Sequence, residues 1–256
     1  LVTGASGGIG RELAALLARD GHPLVLVARD RVALDRAAEE FRTRHGVEVT
    51  AFAFDLARPE AVTELVAELG RRGVAVEILV NNAGFGGAGP FAESDVERDL
   101  AMLRVNVLAL TELTGRLLPA MVARKRGRIL NLASTAAFQP GPFMAVYYAS
   151  KAYVLSFSEA IAEELAGTGV TVTALCPGPT DTSFQHRAGT ADTPLFQRGN
   201  VLDAGRVAAA GHAGMLAGKR VVVPGGLNWL GAQAVRFAPR RAVTALVRRM
   251  QEPVGG

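Results

Sequence analysis

Short β-rich runs alternate with helix-period runs along the whole chain, and few architectures accommodate that pattern. The strand candidates are Leu24–Ala28, Val47–Phe54, Val76–Val80, Arg128–Ala133, Val170–Cys176 and Lys219–Val223. Helical periodicity fills the intervals near 9–20, 31–45, 59–72, 95–124, 148–167 and 203–217. A strand, a helix and a second strand in succession make a parallel pair with a right-handed crossover. Repetition of that unit predicts an α/β fold: a parallel sheet covered by helices on both faces. The strands read as apolar runs such as Leu24-Val-Leu-Val-Ala28 rather than as alternating ones, as strands buried on both faces do. An apolar content of 49% in 256 residues suits a single large domain with an ample core. No repeat, linker or low-complexity segment divides the chain, so one domain is expected over 1–256.

The first loop carries chemistry. The chain opens Leu1-Val-Thr-Gly-Ala-Ser-Gly-Gly-Ile-Gly10, with Gly4, Gly8 and Gly10 spaced Gly-x-x-x-Gly-x-Gly. Ile9, Leu13, Leu16 and Leu17 then fall on one helical stripe. Glycines there let the backbone turn sharply and approach a pyrophosphate closely. The following helix N-terminus offers unpaired N–H groups to the phosphates. Read alone, the run is equally a plain strand–helix turn.

Farther along, Tyr147 and Lys151 stand four residues apart in Ala145-Val-Tyr-Tyr-Ala-Ser-Lys151, with Ser134 thirteen residues upstream. On a helix, positions i and i+4 share a face, which sets a phenol beside an ammonium. A cation favours the phenolate and lowers a tyrosine pKa from its ordinary ~10. Such a tyrosine can exchange a proton with an alcohol or carbonyl oxygen. Alone, this pair also reads as a surface helix contact.

Together, Thr3-Gly-x-x-x-Gly-x-Gly10, Asn81-Asn-Ala-Gly84, Asn106, Ser134 and Tyr147-x-x-x-Lys151 resemble the short-chain dehydrogenase/reductase family, in its order and spacing, from residue 1 to about residue 182. The chain looks most like the branch of NADP-dependent ketone reductases, similar to β-ketoacyl and hydroxysteroid reductases. The resemblance implies a Rossmann-type doubly wound sheet of about seven strands in the order 3-2-1-4-5-6-7. It implies that Tyr147 protonates a carbonyl oxygen while nicotinamide delivers hydride. Lys151 would bind the nicotinamide ribose and lower the Tyr147 pKa, Ser134 would hold the substrate oxygen, and Asn106 would anchor a water leading from Lys151. Tyr148 is the alternative phenol, and the family spacing selects Tyr147. Gly4, Ser6, Gly8, Ile9 and Gly10 would cradle the dinucleotide, with Asn82, Ala83 and Gly84 along its adenosine side. Pro177, Gly178 and Thr182 match the loop that holds the nicotinamide, Thr182 reaching the carboxamide, although Thr180 stands nearby as a second candidate. The glycine loop, Asn81–Gly84, Ser134 and Pro177-Gly178 fall at the carboxyl ends of strands, where such sheets bind ligands.

NADP is the expected cofactor. NAD-using relatives typically carry Asp where this chain has Ala28, and Arg29 can then face a 2′-phosphate. Asp30 is the competing ribose ligand, or else a cap of the next helix. Asp55 matches the residue that bonds adenine in the family. Its alternative role is the N-cap of the helix that follows, next to Pro59.

Phe85, Phe91, Phe138, Pro140, Phe143 and Met144 are expected to line an apolar substrate wall, and residues 183–200 to form an irregular lid. Beyond Val223 the chain departs from the commonest family ending. Asn228–Ala238 and Pro239–Gln251 read as two helices, the second with the stripe Val243, Leu246, Val247, Met250. Residues 204–251 hold eight basic side chains and no Asp or Glu, inside a chain of net charge +4. That asymmetry predicts a solvated basic face or a subunit contact, with an anionic partner as the rival reading.

No metal is expected from four scattered histidines, and the lone Cys176 predicts a buried apolar position and a reducing, cytoplasmic setting. No apolar run reaches the ~20 residues of a membrane span. Leu1 already falls in the expected first strand, so the reading places further residues ahead of it. The resulting expectation is an NADP-dependent oxidoreductase acting on a small, apolar ketone or aldehyde or the corresponding alcohol. It has no nucleic-acid partner. It assembles as a homodimer or homotetramer through the helices near 105–124 and 148–167, with Leu155, Ile161 and Leu165 supplying the contact. Its rivals are a non-catalytic NADP-binding sensor and a membrane-peripheral 3-oxoacyl or steroid reductase.

Overall fold

The computed structural model describes residues 1–190, 193–194 and 201–252. Seven parallel strands form the main sheet: β1 (Val2–Thr3), β2 (Leu24–Ala28), β3 (Val49–Ala53), β4 (Ile78–Asn81), β5 (Gly127–Leu132), β6 (Val170–Leu175) and β7 (Val221–Val222). Their order across the sheet is β3-β2-β1-β4-β5-β6-β7. The reversal between β1 and β4 opens a crevice at the carboxyl edge, the usual ligand position in a doubly wound sheet. Register places Thr3 beside Val27, and Asn81 beside Asn131. The outer strands are shorter than the apolar runs suggest: Val47–Phe54 narrows to Val49–Ala53, and Lys219–Val223 to two residues.

The helices are α1 (Gly8–Arg19), α2 (Arg31–His45), α3 (Ala61–Arg71), α4 (Val96–Leu103), α5 (Leu110–Ala123), α6 (Ala145–Glu164), α7 (Phe184–Ala188), α8 (Ala204–Leu216), α9 (Gly226–Ala234) and α10 (Arg240–Gln251). They fall on both faces because successive strand residues point to opposite sides. Leu24, Leu26 and Ala28 meet Leu13, Leu17, Leu34, Phe41 and Val207 on one face. Val25 and Val27 meet Leu65, Leu69, Leu113, Met121 and Ile161 on the other.

Several expectations change here. The stretch near 95–124 is helical throughout, but a π-turn, Arg104–Ala109, separates α4 from α5. Such wide turns recur at functional sites. By length and mean hydropathy alone Val96–Ala123 would be long and apolar enough to cross a membrane, as core helices of globular proteins also are. Its buried face, with Met102, Leu110, Leu113 and Met121, lies in the core. Helix α6 begins earlier than expected, so Tyr147 sits in its first turn. Leu155, Ile161 and Leu165 are buried inside the chain and offer nothing to a partner, because the sheet and the neighbouring helices already cover them.

In the segment expected to be an irregular lid, Phe184–Ala188 forms a short helix. A two-residue parallel ladder between Thr180–Asp181 and Leu202–Asp203 ties the two sides of the segment together. Positions 191, 192 and 195–200 of that lid lie outside the described residues. On α10 the apolar stripe is narrower than its sequence. Val243 and Val247 are buried, Leu246 and Met250 are exposed, and Gln251 takes the third inward position. An i, i+4, i+8 row is what this helix buries, and the i+3 positions fall on its outer flank.

Candidate active site

The glycine loop turns from β1 into α1. Gly4 and Gly8 have φ of +66° and +53°, in the region that favours glycine. Gly10 is required by crowding: a Cβ there would stand 2.4 Å from the Gly4 carbonyl oxygen and 2.2 Å from Asn82 Nδ2. Asn82 is the brace. Its Nδ2 donates to the carbonyls of Thr3 (2.9 Å) and Gly4 (3.2 Å), while Thr3 Oγ1 accepts from the backbone N–H of Asn82 and of Ala83. Gly7 caps α1 with no side-chain bond, and the first turn has no acidic residue, so the helix N-terminus is free of competing negative charge. Asn81, by contrast, is turned into the core, where its Nδ2 donates to Thr114 Oγ1 and Asn131 Oδ1.

Gly4, Ser6, Gly8 and Ile9 line a cavity of about 810 Å³. Gly10 stands just behind its wall. From there the cavity runs in one direction past Ala28, Arg29, Asp30 and Asp55. Ala28 is buried and supplies no carboxylate, and Arg29 is exposed at the rim. Asp30 Oδ1 accepts from Ala33 N at 3.0 Å and caps α2. Asp55 does not cap α3 as its neighbourhood suggests. Its Oδ1 accepts from Ala57 N at 3.0 Å in a turn of its own, and Glu60 occupies the cap position.

In the other direction the cavity passes Asn82, Ala83 and Gly84 to Ser134, Tyr147, Lys151, Pro177, Gly178 and Thr182. Ser134 starts the 3₁₀ turn Thr135–Phe138: its Oγ accepts from Ala136 N at 3.1 Å and donates to the Pro177 carbonyl at 3.4 Å. Thr182 Oγ1 accepts from Phe184 N at 3.1 Å and so starts α7. Its methyl faces the loop, 3.2 Å from where a Gly8 Cβ would be. Thr180 also lines the cavity, and its hydroxyl donates to Gly178 O at 2.9 Å.

Asn106 sits in the π-turn and does not reach the cavity surface. Its Oδ1 accepts from Phe85 N (3.1 Å), and its Nδ2 donates to Phe85 O (3.0 Å) and Ser150 Oγ (3.1 Å). Both amide protons are used, so the side chain brackets the strand-end loop.

Lys151 is buried and its Nζ donates to Leu132 O at 2.7 Å, 5.8 Å from the centre of the Tyr147 ring. Burial lowers its pKa to about 8. Tyr147 shifts the other way: burial raises its pKa well above the ordinary value, and the Ser134 hydroxyl, its hydrogen-bond partner, only partly offsets that. The expected lowering by Lys151 is therefore not found. Desolvation outweighs an ammonium that is directed at a backbone carbonyl, and each group moves toward its neutral form.

The substrate wall is less aromatic than expected. Phe85 and Met144 line the cavity, whereas Phe91 and Phe143 border a separate outer groove with Arg240, Arg241 and Arg248. Phe138 packs beside Val154 and Leu155 under the sheet edge, and Pro140 lines neither space. The actual wall adds Tyr148, Phe184 and Gln251. Phe184 packs on Tyr147 with ring centres 5.3 Å apart. Gln251 carries no motif, and only its i+8 spacing from Val243 marks it in the sequence.

Comparison with known proteins follows this geometry. The sequence profile described as short chain dehydrogenase matches residues 1–193. A putative ketoacyl reductase of the granaticin polyketide synthase from Streptomyces violaceoruber is 40% identical over 189 residues, 73% of this chain and 69% of that protein. Among solved structures, a short-chain dehydrogenase from Sphingobium yanoikuyae in complex with NADPH superposes with a TM-score of 0.83 at 33% identity, over 99% of this chain and 98% of that one. A bulky-bulky ketone specific alcohol dehydrogenase from Comamonas testosteroni gives 0.78 at 29% identity, covering 97% and 94%.

Proposed function

Because this chain belongs to the short-chain dehydrogenase family, we propose that it is an NADP-dependent carbonyl reductase, interconverting a ketone or aldehyde and its alcohol. The observation that carries the reading is a single cavity with Arg29 at one end and Ser134, Tyr147 and Lys151 at the other. The residues present fit the cofactor. Gly4 and Gly8 supply the positive-φ turn that lines the cavity, the N-terminus of α1 has no side-chain cap and no acid in its first turn, and Ala28 with Arg29 suits a 2′-phosphate. The NADPH complex of the Sphingobium protein supports the same choice. When bound, NADPH supplies the hydride.

The chain supplies the proton and the geometry. Ser134, fixed by Ala136 N, presents its hydroxyl beside the Tyr147 phenol. Once a substrate oxygen replaces the Pro177 carbonyl as its acceptor, the Ser134 hydroxyl and the Tyr147 phenol are the two donors that this oxygen needs as negative charge develops on it. Tyr147 is protonated at neutral pH, as an ordinary tyrosine is, and that is the form required to give its proton to that oxygen. Lys151 is held by Leu132 O at the cavity wall and would bind the nicotinamide ribose. Asn106 positions the Phe85 backbone and, through Ser150, the first turns of α6. Phe85, Met144 and Phe184 make the substrate end predominantly apolar, which favours a hydrophobic carbonyl compound. The ketone-specific Comamonas enzyme and the Streptomyces ketoacyl reductase support that class.

A screen of NADPH oxidation over ketones, 3-oxoacyl thioesters and steroids tests this reading. Turnover of at least one class, with NADPH preferred over NADH, is the expected result. Tight NADPH binding with no turnover of any carbonyl or alcohol would overturn it.

A further inference from the structure

The C-terminal helix α10 contributes a polar group to the substrate end of the cavity. Val243 and Val247 pack against Ala136, Met144 and Tyr148, with Tyr147 and Val235 on the margin of the same cluster. One turn further on, Gln251 is 4% exposed, and its Nε2 donates to Tyr148 Oη at 2.7 Å. Its Oε1 is buried without a hydrogen-bond partner. Both residues line the cavity that holds Ser134 and Tyr147.

This arrangement is closely packed. The Tyr148 ring meets the Tyr147 ring edge-on, with centres 6.1 Å apart. It also fits so closely under Gly141 that a Cβ there would lie 2.2 Å from it. The phenol accepts from Gln251, which leaves its own proton free to donate. The Gln251 carbonyl oxygen is left free to accept. Turning the amide over exchanges donor and acceptor but still leaves one buried group on this wall without a partner. A buried polar group without a partner is costly, so such groups in native structures call for an explanation. A tether between α10 and α6 needs only the one bond already made.

Resting on the reductase reading above, we propose that Gln251 and Tyr148 form a polar clamp for a hydroxyl or amide group carried by the carbonyl substrate, away from its reacting carbon. Either group donates and accepts at once, and so satisfies the free carbonyl oxygen and the free phenol proton together. An apolar chain of the same length leaves both unsatisfied. Sites built around a substrate donor reject the analogue that lacks it far more strongly than apolar pockets reject a missing methylene.

The test is calorimetric binding to the NADP⁺-loaded full chain of ω-hydroxy methyl ketones, matched N-acetyl ω-amino methyl ketones and unsubstituted alkanones of equal length. One polar series should bind roughly 10-fold or more tightly than the alkanones. Whichever series leads identifies the group as hydroxyl or amide. Gln251→Leu and Tyr148→Phe should each bring the polar-to-apolar ratio close to one, and Tyr148→Phe keeps the test available if the tail variant folds poorly. Alkanones binding as tightly, a preference surviving both substitutions, or no binding by any series overturns the clamp. Turnover followed in parallel separates the two readings. A polar ketone bound selectively but never reduced removes the reductase and leaves the clamp, whereas alkanones bound and reduced as well as their polar counterparts do the reverse.

Discussion

Tyr147 combines two properties that pull apart: it is enclosed enough to hold its proton, yet it faces the cavity beside Ser134. Replacing it with Phe keeps the ring contact with Phe184 and removes only the acid. Tyr147→Phe should lower turnover roughly 10²–10⁴-fold while NADPH affinity stays nearly unchanged. A steady-state assay paired with a fluorescence titration measures both, and more than half of the activity remaining would exclude Tyr147 as the acid. Arg29 is the corresponding test at the far end of the cavity. Arg29→Ala should weaken NADPH about 10- to 100-fold and leave NADH almost untouched. Equal losses for the two cofactors would refute the 2′-phosphate contact. Lys151 gives a pH signature. Its pKa falls from an ordinary 10.5 to about 8 in the folded chain. Below pH 8 the amine is charged in both states, and the folded state bears the cost of burying it. Between about 8 and 10.5 the folded chain releases the proton while the unfolded chain keeps it, so stability rises with pH in that window. Relative to Lys151→Met, the wild type should gain on the order of 1–3 kcal/mol between about pH 7.5 and pH 10. Denaturant midpoints of the two proteins that stay parallel across this range would contradict the shift.

Among the elements, α9 and α10 are the pair whose role was hardest to read. Asn228, on α9, fills the space beside Gly178, where a Cβ would come within 2.5 Å of its Oδ1, and donates to Pro224 O at 2.9 Å. Val243 and Val247 pack behind the cavity wall, against Met144 and Tyr148. Ending the chain after Leu227 removes all of these contacts. The two valines alone contribute about 1.5–3 kcal/mol each at most, part of it offset by the entropy of ordering the helix. A thermal scan should show a melting temperature lower by roughly 5–10 °C, with activity reduced on neutral and anionic substrates alike. A truncated enzyme of unchanged stability, defective only toward coenzyme A thioesters and less so at high salt, would instead make the basic segment an anion-recruiting surface. The sequence revealed the sheet and the cofactor loop because both rest on local rules: apolar runs between turns, and glycines where no Cβ fits. Tyr147 and Lys151 were visible through the order of motifs in the family resemblance, since helical spacing alone fits a surface pair equally well. Gln251 was not, because its significance arises from contact with Tyr148, 103 positions away. The pKa directions were also out of reach, since they depend on how deeply β5 and α6 bury the pair.

Across the whole molecule, the remaining question is what covers the apolar surface. Leu155, Ile161 and Leu165 are spent on the chain's own core, so a partner would have to meet other residues of the same helices. Leu108, 59% exposed in the π-turn, and Tyr153 on α6 are available. The Tyr153 hydroxyl pairs with Thr111 Oγ1 at 3.0 Å and its ring stacks on Phe157 at 5.8 Å. A second apolar region lies on the tail, where Leu227, Trp229, Leu230 and Phe237 are exposed, Phe237 to 90%. Exposed apolar groups of this size mark contact surfaces when they are contiguous. We expect a homodimer or homotetramer, with α5 and α6 of two copies facing each other across a two-fold axis. Light scattering at micromolar concentration should give a mass of two or four chains, and Leu108→Glu combined with Tyr153→Glu should shift it toward one, because each charge would be buried twice in a symmetric interface. A clean single-chain mass for the unsubstituted protein would remove the prediction. An assembly that resists those two substitutions but dissociates with Trp229→Glu would move the interface to the tail, beside the helix that carries Gln251.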